Sequence, residues 1–157
     1  MNLMPKATPL QFDQPRWYVD TSILVAILLG QSPAAATWFD SARARGDLLL
    51  ASRLLDVETR RAITNRRVSG QVCPTVWEVD AHLGAIELED IDNEVLDAAT
   101  TIQVPIGGAD AIHVATAARF GEVALVTHDA QQAAAAKTLG LVVVDPFTDD
   151  PRRGPVV

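Results

Sequence analysis

The sequence has 157 residues, with 20 Asp and Glu against 13 Lys and Arg, for a formal net charge of −7. A chain of this length is expected to fold around one core, burying about 68–70% of its unfolded surface, and its 48% hydrophobic content excludes a disordered polymer. The lone Cys73 excludes an internal disulfide and a cysteine-built zinc site, and the acidic balance argues against a chain that coats polyphosphates.

In chain order, residues 1–15 contain one Lys and no apolar stretch of the kind a secretory leader carries. They read as a flexible arm ahead of a folded domain over 16–148, with a Pro- and charge-rich tail over 149–157. The longest apolar run, Ile23 to Leu29, falls far short of the roughly 20 residues of a spanning helix, so a cytoplasmic protein is expected. RWYV (16–19) reads as a strand ending at Asp20, and Ser22 to Leu29 as an apolar helix closed by Gly30. Ser32-Pro33 combines an N-cap with Pro at the first helical position and opens a helix to about Arg45, with Gly46 beyond. Asp47 to Ala51 is a short strand, and Ser52 is placed to cap the helix that follows.

Thr75 to Gly84 and Asn93 to Thr101 read as helices joined by an acidic stretch, Glu87 to Asp92, around a short strand. Gly107-Gly108 marks a turn before a small-residue helix, Ala109 to Phe120. EVALVTHD (122–129) is a strand running into a polar loop, followed by a helix through Lys137 to Leu139 that Gly140 ends, and by a strand from Leu141 to Val144. Strands apolar on both faces, alternating with helices, define an α/β domain whose central parallel sheet is flanked by helices on both faces. Such sheets place their sites at the carboxyl ends of the strands.

Four carboxylates attract attention on that basis. Asp20 and Asp129 each follow a strand, where either also serves as a turn cap. Glu58 falls on the helical arc of Leu54, Leu55 and Ala62, opposite Asp56, Arg60 and Arg67. A carboxylate on a core-facing stripe is costly unless paired or bound to a cation, and Arg61 is an adjacent partner. Asp110 stands in the first turn of its helix, sharing a face with Val114, Ala117 and Ala118, where it also suits the helix dipole. If the sheet gathers the four, their mutual repulsion calls for a hard cation, and oxygen-only donors suit Mg²⁺ or Mn²⁺.

The succession YVDTS (18–22), ASRLLDVETRRA (51–62), GGADAIHVATAA (107–118) and LVTHDAQQAAAAKTLGL (125–141) resembles the PIN domain, and more narrowly the VapC toxin ribonuclease of VapBC toxin–antitoxin pairs. The resemblance runs from about Trp17 to Val144, while the stretch from Arg67 to Gln103 carries no signature of that family. It implies a PIN-like fold and an acidic quartet at Asp20, Glu58, Asp110 and Asp129, with Thr21, Ser22 and Thr127 as polar supports. It further implies hydrolysis of RNA with Mg²⁺ or Mn²⁺ held chiefly by Asp20 and Asp110, a homodimer, and a VapB-like antitoxin whose tail occupies the acidic groove. An RNA-processing PIN nuclease that is not a toxin, and a silent PIN module that only binds, are the alternatives.

Other residues have plainer readings. His82, His113 and His128 lack the spacing of a metal pair; only His128, beside Asp129, is kept as a phosphate neighbour. Trp17, Trp38 and Trp77 read as core or interface anchors. Five arginines between Arg53 and Arg67 read as a solvated helix face, or as an RNA-backbone strip in which Arg53, Arg60 and Arg61 flank Glu58. A phosphoacceptor receiver domain would need a Lys after a late strand, and Lys6 and Lys137 are not so placed. A haloacid-dehalogenase-like phosphatase would need Asp-x-Asp where Asp20-Thr21-Ser22 stands.

Overall fold

A computed structural model describes residues 14–147. The arm is therefore seen only at its last two positions, and the tail expected over 149–157 lies outside the described residues. Five short strands form one fully parallel sheet: β1 (Arg16–Val19), β2 (Leu48–Ser52), β3 (Glu87–Glu89), β4 (Ala124–Val126) and β5 (Val142–Val144), in the order β3-β2-β1-β4-β5. Seven helices connect them: α1 (Thr21–Leu28), α2 (Pro33–Arg45), α3 (Leu54–Val68), α4 (Val76–Leu83), α5 (Asn93–Thr100), α6 (Gly108–Arg119) and α7 (Ala130–Thr138).

The strand order decides where the helices go. Connections from β1 to β2 and from β2 to β3 run one way along the sheet, whereas those from β3 to β4 and from β4 to β5 run the other way. Right-handed crossovers then put α1–α4 on one face and α5–α7 on the opposite face. The packing agrees: α1 packs with α2, α3 and α4, and α6 packs with α5 and α7. Between β1 and β4 the direction of winding reverses, and their carboxyl ends open into the crevice where parallel α/β sheets bind ligands.

Alternation along β1 feeds both layers. Trp17, Tyr18 and Val19 are all buried, yet Trp17 meets Trp38 of α2 edge-on at 5.6 Å between ring centroids, while Tyr18 meets His113 of α6 at 5.8 Å. Successive side chains leave opposite faces of a strand, so one four-residue strand anchors helices above and below. Trp17 also donates its indole N–H to Asp47 Oδ2 at 2.9 Å. On α6, Ala111, Val114, Ala115 and Ala117 are buried, and these small side chains let the helix lie close to the sheet.

Several local expectations need adjustment. Ser32 caps α2 by accepting the Ala35 N–H at 3.1 Å, and Gly46 ends it at φ 75°, a left-handed conformation that disfavours a side chain. Ser52 instead completes β2 and Arg53 precedes α3, although the Ser52 hydroxyl still accepts the Leu54 N–H at 3.1 Å. The strand expected over 122–129 shortens to Ala124–Val126, although the Thr127 N–H still donates to Val144 O at 3.1 Å. Within the stretch lacking a family signature, Thr75 and Glu78 form a reciprocal capping box that starts α4. Trp77 is 83% exposed and is no core anchor. No single helix is long and apolar enough to cross a membrane among the described residues.

Candidate active site

Asp20 leaves β1 at the reversal point and is 4% exposed. Its backbone N–H continues the β1–β4 ladder to Val126 O at 3.0 Å, which fixes where its carboxylate emerges. It does cap α1, accepting the Ser22 N–H at 3.3 Å. Its contacts go beyond a cap, however. Oδ2 also accepts the hydroxyls of Ser22 at 2.6 Å and Thr127 at 3.1 Å, and Oδ1 accepts the Gln132 amide at 3.1 Å. Four donors hold a nearly buried charge, which offsets the cost of removing it from water.

Asp129 caps α7 by accepting the Gln132 N–H at 2.8 Å, and its own N–H donates to Thr127 Oγ1 at 3.1 Å. Thr127 thus bridges the two aspartates that follow β1 and β4. Asp110 sits half-buried in the first turn of α6, and its side chain takes no hydrogen bond among the described residues. Burial, then the charges of Asp20 and Asp129, and lastly that of Glu58 push its pKa above the ordinary value, with His113 opposing. These are the marks of a carboxylate placed among carboxylates.

Glu58 reaches the same crevice from α3. The expected partner Arg61 is not its partner: Arg61 turns away to donate to Asn65 Oδ1 at 3.1 Å. Glu58 Oε1 instead accepts from Thr21 Oγ1 at 2.7 Å and lies 2.6 Å from His113 Nε2. Burial alone would raise the Glu58 pKa; the hydrogen bonds from His113 and Thr21, with the nearby imidazole, outweigh burial and leave it below the ordinary value.

The remaining candidates separate. Arg60 is committed to Asp56 at 2.6 Å and Asp80 at 2.9 Å, while Arg53 is exposed at the start of α3. His128 pairs through Nδ1 with Asp145 at 2.7 Å and packs on Phe147. It lines an open cleft of about 440 Å³ that continues from Thr127 and Asp129 past Lys137.

Three contributors went unrecognised in the sequence: His113, Tyr18 and Gln132, all fully buried. Each carries a signal in hindsight. His113 interrupts an apolar helix face three residues after Asp110, the Tyr18 hydroxyl must find a partner inside an apolar strand, and Gln132 stands three residues after a helix-capping Asp.

The donor set fits a hard divalent cation in its chemistry: it is all carboxylate oxygen, and Asp110 registers the mutual repulsion that a cation would relieve. The side chains are not drawn into a preformed cage, since no group of three or more His, Cys, Asp or Glu is gathered closely enough to hold an ion among the described residues.

An all-parallel five-stranded sheet with acids converging at its reversal point defines the class, and sequence comparison agrees: the family model of the PIN domain matches residues 17–138. The chain belongs to the PIN domain family. Its fold is similar to a crystal structure of VapBC2 from Rickettsia felis bound to a DNA fragment from their promoter. That likeness has a TM-score of 0.61 at 12% identity, covering 83% of this chain and 98% of the other. It is also similar to a structure of FitAB bound to an IR36 DNA fragment, with a TM-score of 0.54 at 16% identity, covering 85% and 96%. Comparison with curated protein sequences finds no significant match.

Proposed function

We propose that this chain is a metal-dependent endoribonuclease that hydrolyses RNA phosphodiester bonds, and that it acts as the toxin of a toxin–antitoxin pair. The observation that supports this reading is that Asp20 and Asp129 follow adjacent strands and are bridged by Thr127, with Asp110 near enough to feel their charges and that of Glu58. Membership of the PIN family and a fold shared with VapBC2 and FitAB structures support it.

In this reading Asp20 and Asp110 would hold Mg²⁺ or Mn²⁺, with Glu58 and Asp129 beside them. A cation held there would supply charge neutralisation at the phosphate and acidify a water for hydrolysis. Ser22, Thr127 and Gln132 lock the Asp20 carboxylate in one orientation, and Thr21 does the same for Glu58. Asp110, whose side chain takes no hydrogen bond among the described residues and whose pKa is raised, is a carboxylate that a cation would relieve. The cleft leading past His128 to Lys137 provides a path for the RNA backbone. A basic segment of a VapB-like antitoxin would complement the same acidic crevice, and the active form is a homodimer.

The test is RNA cleavage by the wild type, Asp20→Ala and Asp110→Ala with Mg²⁺ or Mn²⁺. Cleavage by the wild type alone, abolished by EDTA, is expected; equal cleavage by all three, or indifference to EDTA, sinks the proposal. Growth arrest on expression that disappears in Glu58→Gln distinguishes a toxin from an RNA-processing enzyme.

A further inference from the structure

We propose that His113 is a positioning residue for Glu58, holding that carboxylate toward the acidic crevice through a hydrogen-bond relay rooted in the sheet. The inference rests on the nuclease reading above and deepens it by assigning a role to a residue outside the acidic quartet.

His113 is fully buried on α6, where an imidazole is tolerated only if its nitrogens are bonded. Both are. Nδ1 lies 2.8 Å from the Tyr18 hydroxyl and Nε2 lies 2.6 Å from Glu58 Oε1. The contacts are rooted in the sheet. The Ser52 N–H donates to the Tyr18 oxygen at 2.9 Å, and burial pushes the Tyr18 pKa up, so the phenol keeps its proton, with Thr116 as a further partner. Nε2 carries a proton toward the carboxylate, since a bare Nε2 would set lone pair against lone pair at 2.6 Å.

The chain of contacts runs from the Ser52 N–H through the Tyr18 hydroxyl to His113 Nδ1, and from His113 Nε2–H to Glu58 Oε1. It joins β2, β1, α6 and α3. Thr21 on α1 adds a second donor to the same Oε1 at 2.7 Å and lies 3.2 Å from Nε2. Every one of these contacts falls on Oε1, and Oε2 takes no hydrogen bond among the described residues. One oxygen is therefore pinned by two donors from different elements, leaving the other available to a cation or to a substrate-side water. Donors arranged in this way behind a ligating carboxylate set its orientation, and their loss typically weakens metal affinity.

Two substitutions separate this role from packing. His113→Gln sets an amide nitrogen near the position of Nε2, so it retains a donor to Glu58. His113→Asn sets a polar atom near Nδ1 and cannot reach Glu58. Mn²⁺ is titrated into each full-length protein without RNA, by calorimetry or by electron paramagnetic resonance of free Mn²⁺, and unfolding is followed in EDTA. The expected result is a loss of about 10- to 100-fold in Mn²⁺ affinity for His113→Asn, recovered largely in His113→Gln. RNA turnover should fall with affinity while KM for RNA holds. In the wild type, imidazole ¹⁵N spectra should show His113 protonated at Nε2, and Tyr18→Phe should disturb the Nδ1 signal. Wild-type Mn²⁺ affinity in His113→Asn, equal losses in both variants that follow thermal stability, or a bare Nε2 overturns the role of His113 alone. A wild type that neither binds Mn²⁺ nor cleaves RNA overturns the nuclease reading and this inference with it.

Discussion

The side-chain amide of Gln132 donates to Asp20 Oδ1 at 3.1 Å across 112 positions of sequence, while the backbone N–H of the same residue donates to Asp129 Oδ1 at 2.8 Å. A single fully buried residue on α7 thereby ties together the acids that follow β1 and β4. Its Oε1 is buried with no partner among the described residues. Gln132→Glu sets a second carboxylate against Asp20 with no counter-charge, and should destabilise the protein by about 3–5 kcal/mol at neutral pH. Urea unfolding checks the loss, which should shrink on acidification as the new carboxyl takes a proton. Gln132→Met removes the unpartnered oxygen together with the donor, two effects of about 1–3 kcal/mol each and opposite sign, so it should cost far less.

Asp110 and Glu58 should leave opposite slopes in stability against pH. The folded pKa of Asp110 lies above its ordinary value of 3.8. Between the two values the native state binds more protons than the unfolded state, so this group lowers stability as pH rises through that window. Asp110→Asn should therefore raise the melting temperature of the metal-free protein at pH 7, with a gain that fades as pH falls toward 3.8. Melting followed in EDTA across that range checks it.

Glu58 has the reverse sign. Its folded pKa lies below the ordinary 4.5, so its contribution is present above 4.5 and is lost as pH falls through the folded value. Glu58→Gln should be less stable than the wild type at pH 7, and the two should converge in acid. A constant difference across that range would contradict the hydrogen bonds assigned to Oε1.

Mn²⁺ should protect the folded chain in proportion to its occupancy, by about 2.7 kcal/mol at one hundred times the dissociation constant. Asp110→Asn, more stable without metal, should gain much less on adding it. Melting curves with and without Mn²⁺ should thus reverse the order of the two proteins.

Asp47 offers a test of the fold away from the crevice. Its carboxylate is nearly buried, accepts the Trp17 indole N–H, and pairs with Arg45 at 2.7 Å. Asp47→Ala leaves that indole donor without its acceptor and should cost about 1–3 kcal/mol, measurable by urea unfolding, with cleavage by the remaining folded protein unchanged.

The sequence shows its strands and helices where local chemistry is strong. Ser32-Pro33 and Gly46 bracket α2 as expected, and the apolar runs at 16–19 and 124–126 are strands. Thr127 lies just past β4, where its N–H still donates to Val144 O at 3.1 Å while its hydroxyl serves the two aspartates. The sheet places Asp20 and Asp129 after adjacent strands, as their positions in the sequence imply, and Thr127 bridges them. Their partners were not. Arg61 looked right for Glu58 by helical spacing, but His113 reaches it from an element 55 positions away, and nothing local encodes such a meeting. Trp77, expected as a core or interface anchor, lies outside the core, since its exposure depends on how α4 is laid down.

The order β3-β2-β1-β4-β5 also sets a timetable for a chain made from its N-terminus. β2 follows β1 closely in the chain, but the other neighbour of β1 is β4, and Asp20 receives Thr127 and Gln132 only 107 and 112 positions later. At about 5–20 residues per second of translation, β1 waits seconds with one flank unpaired. The acidic crevice is completed only once Thr127 and Gln132 have been made, so a chain stalled before them carries the first of its acids without the arrangement that gives them meaning.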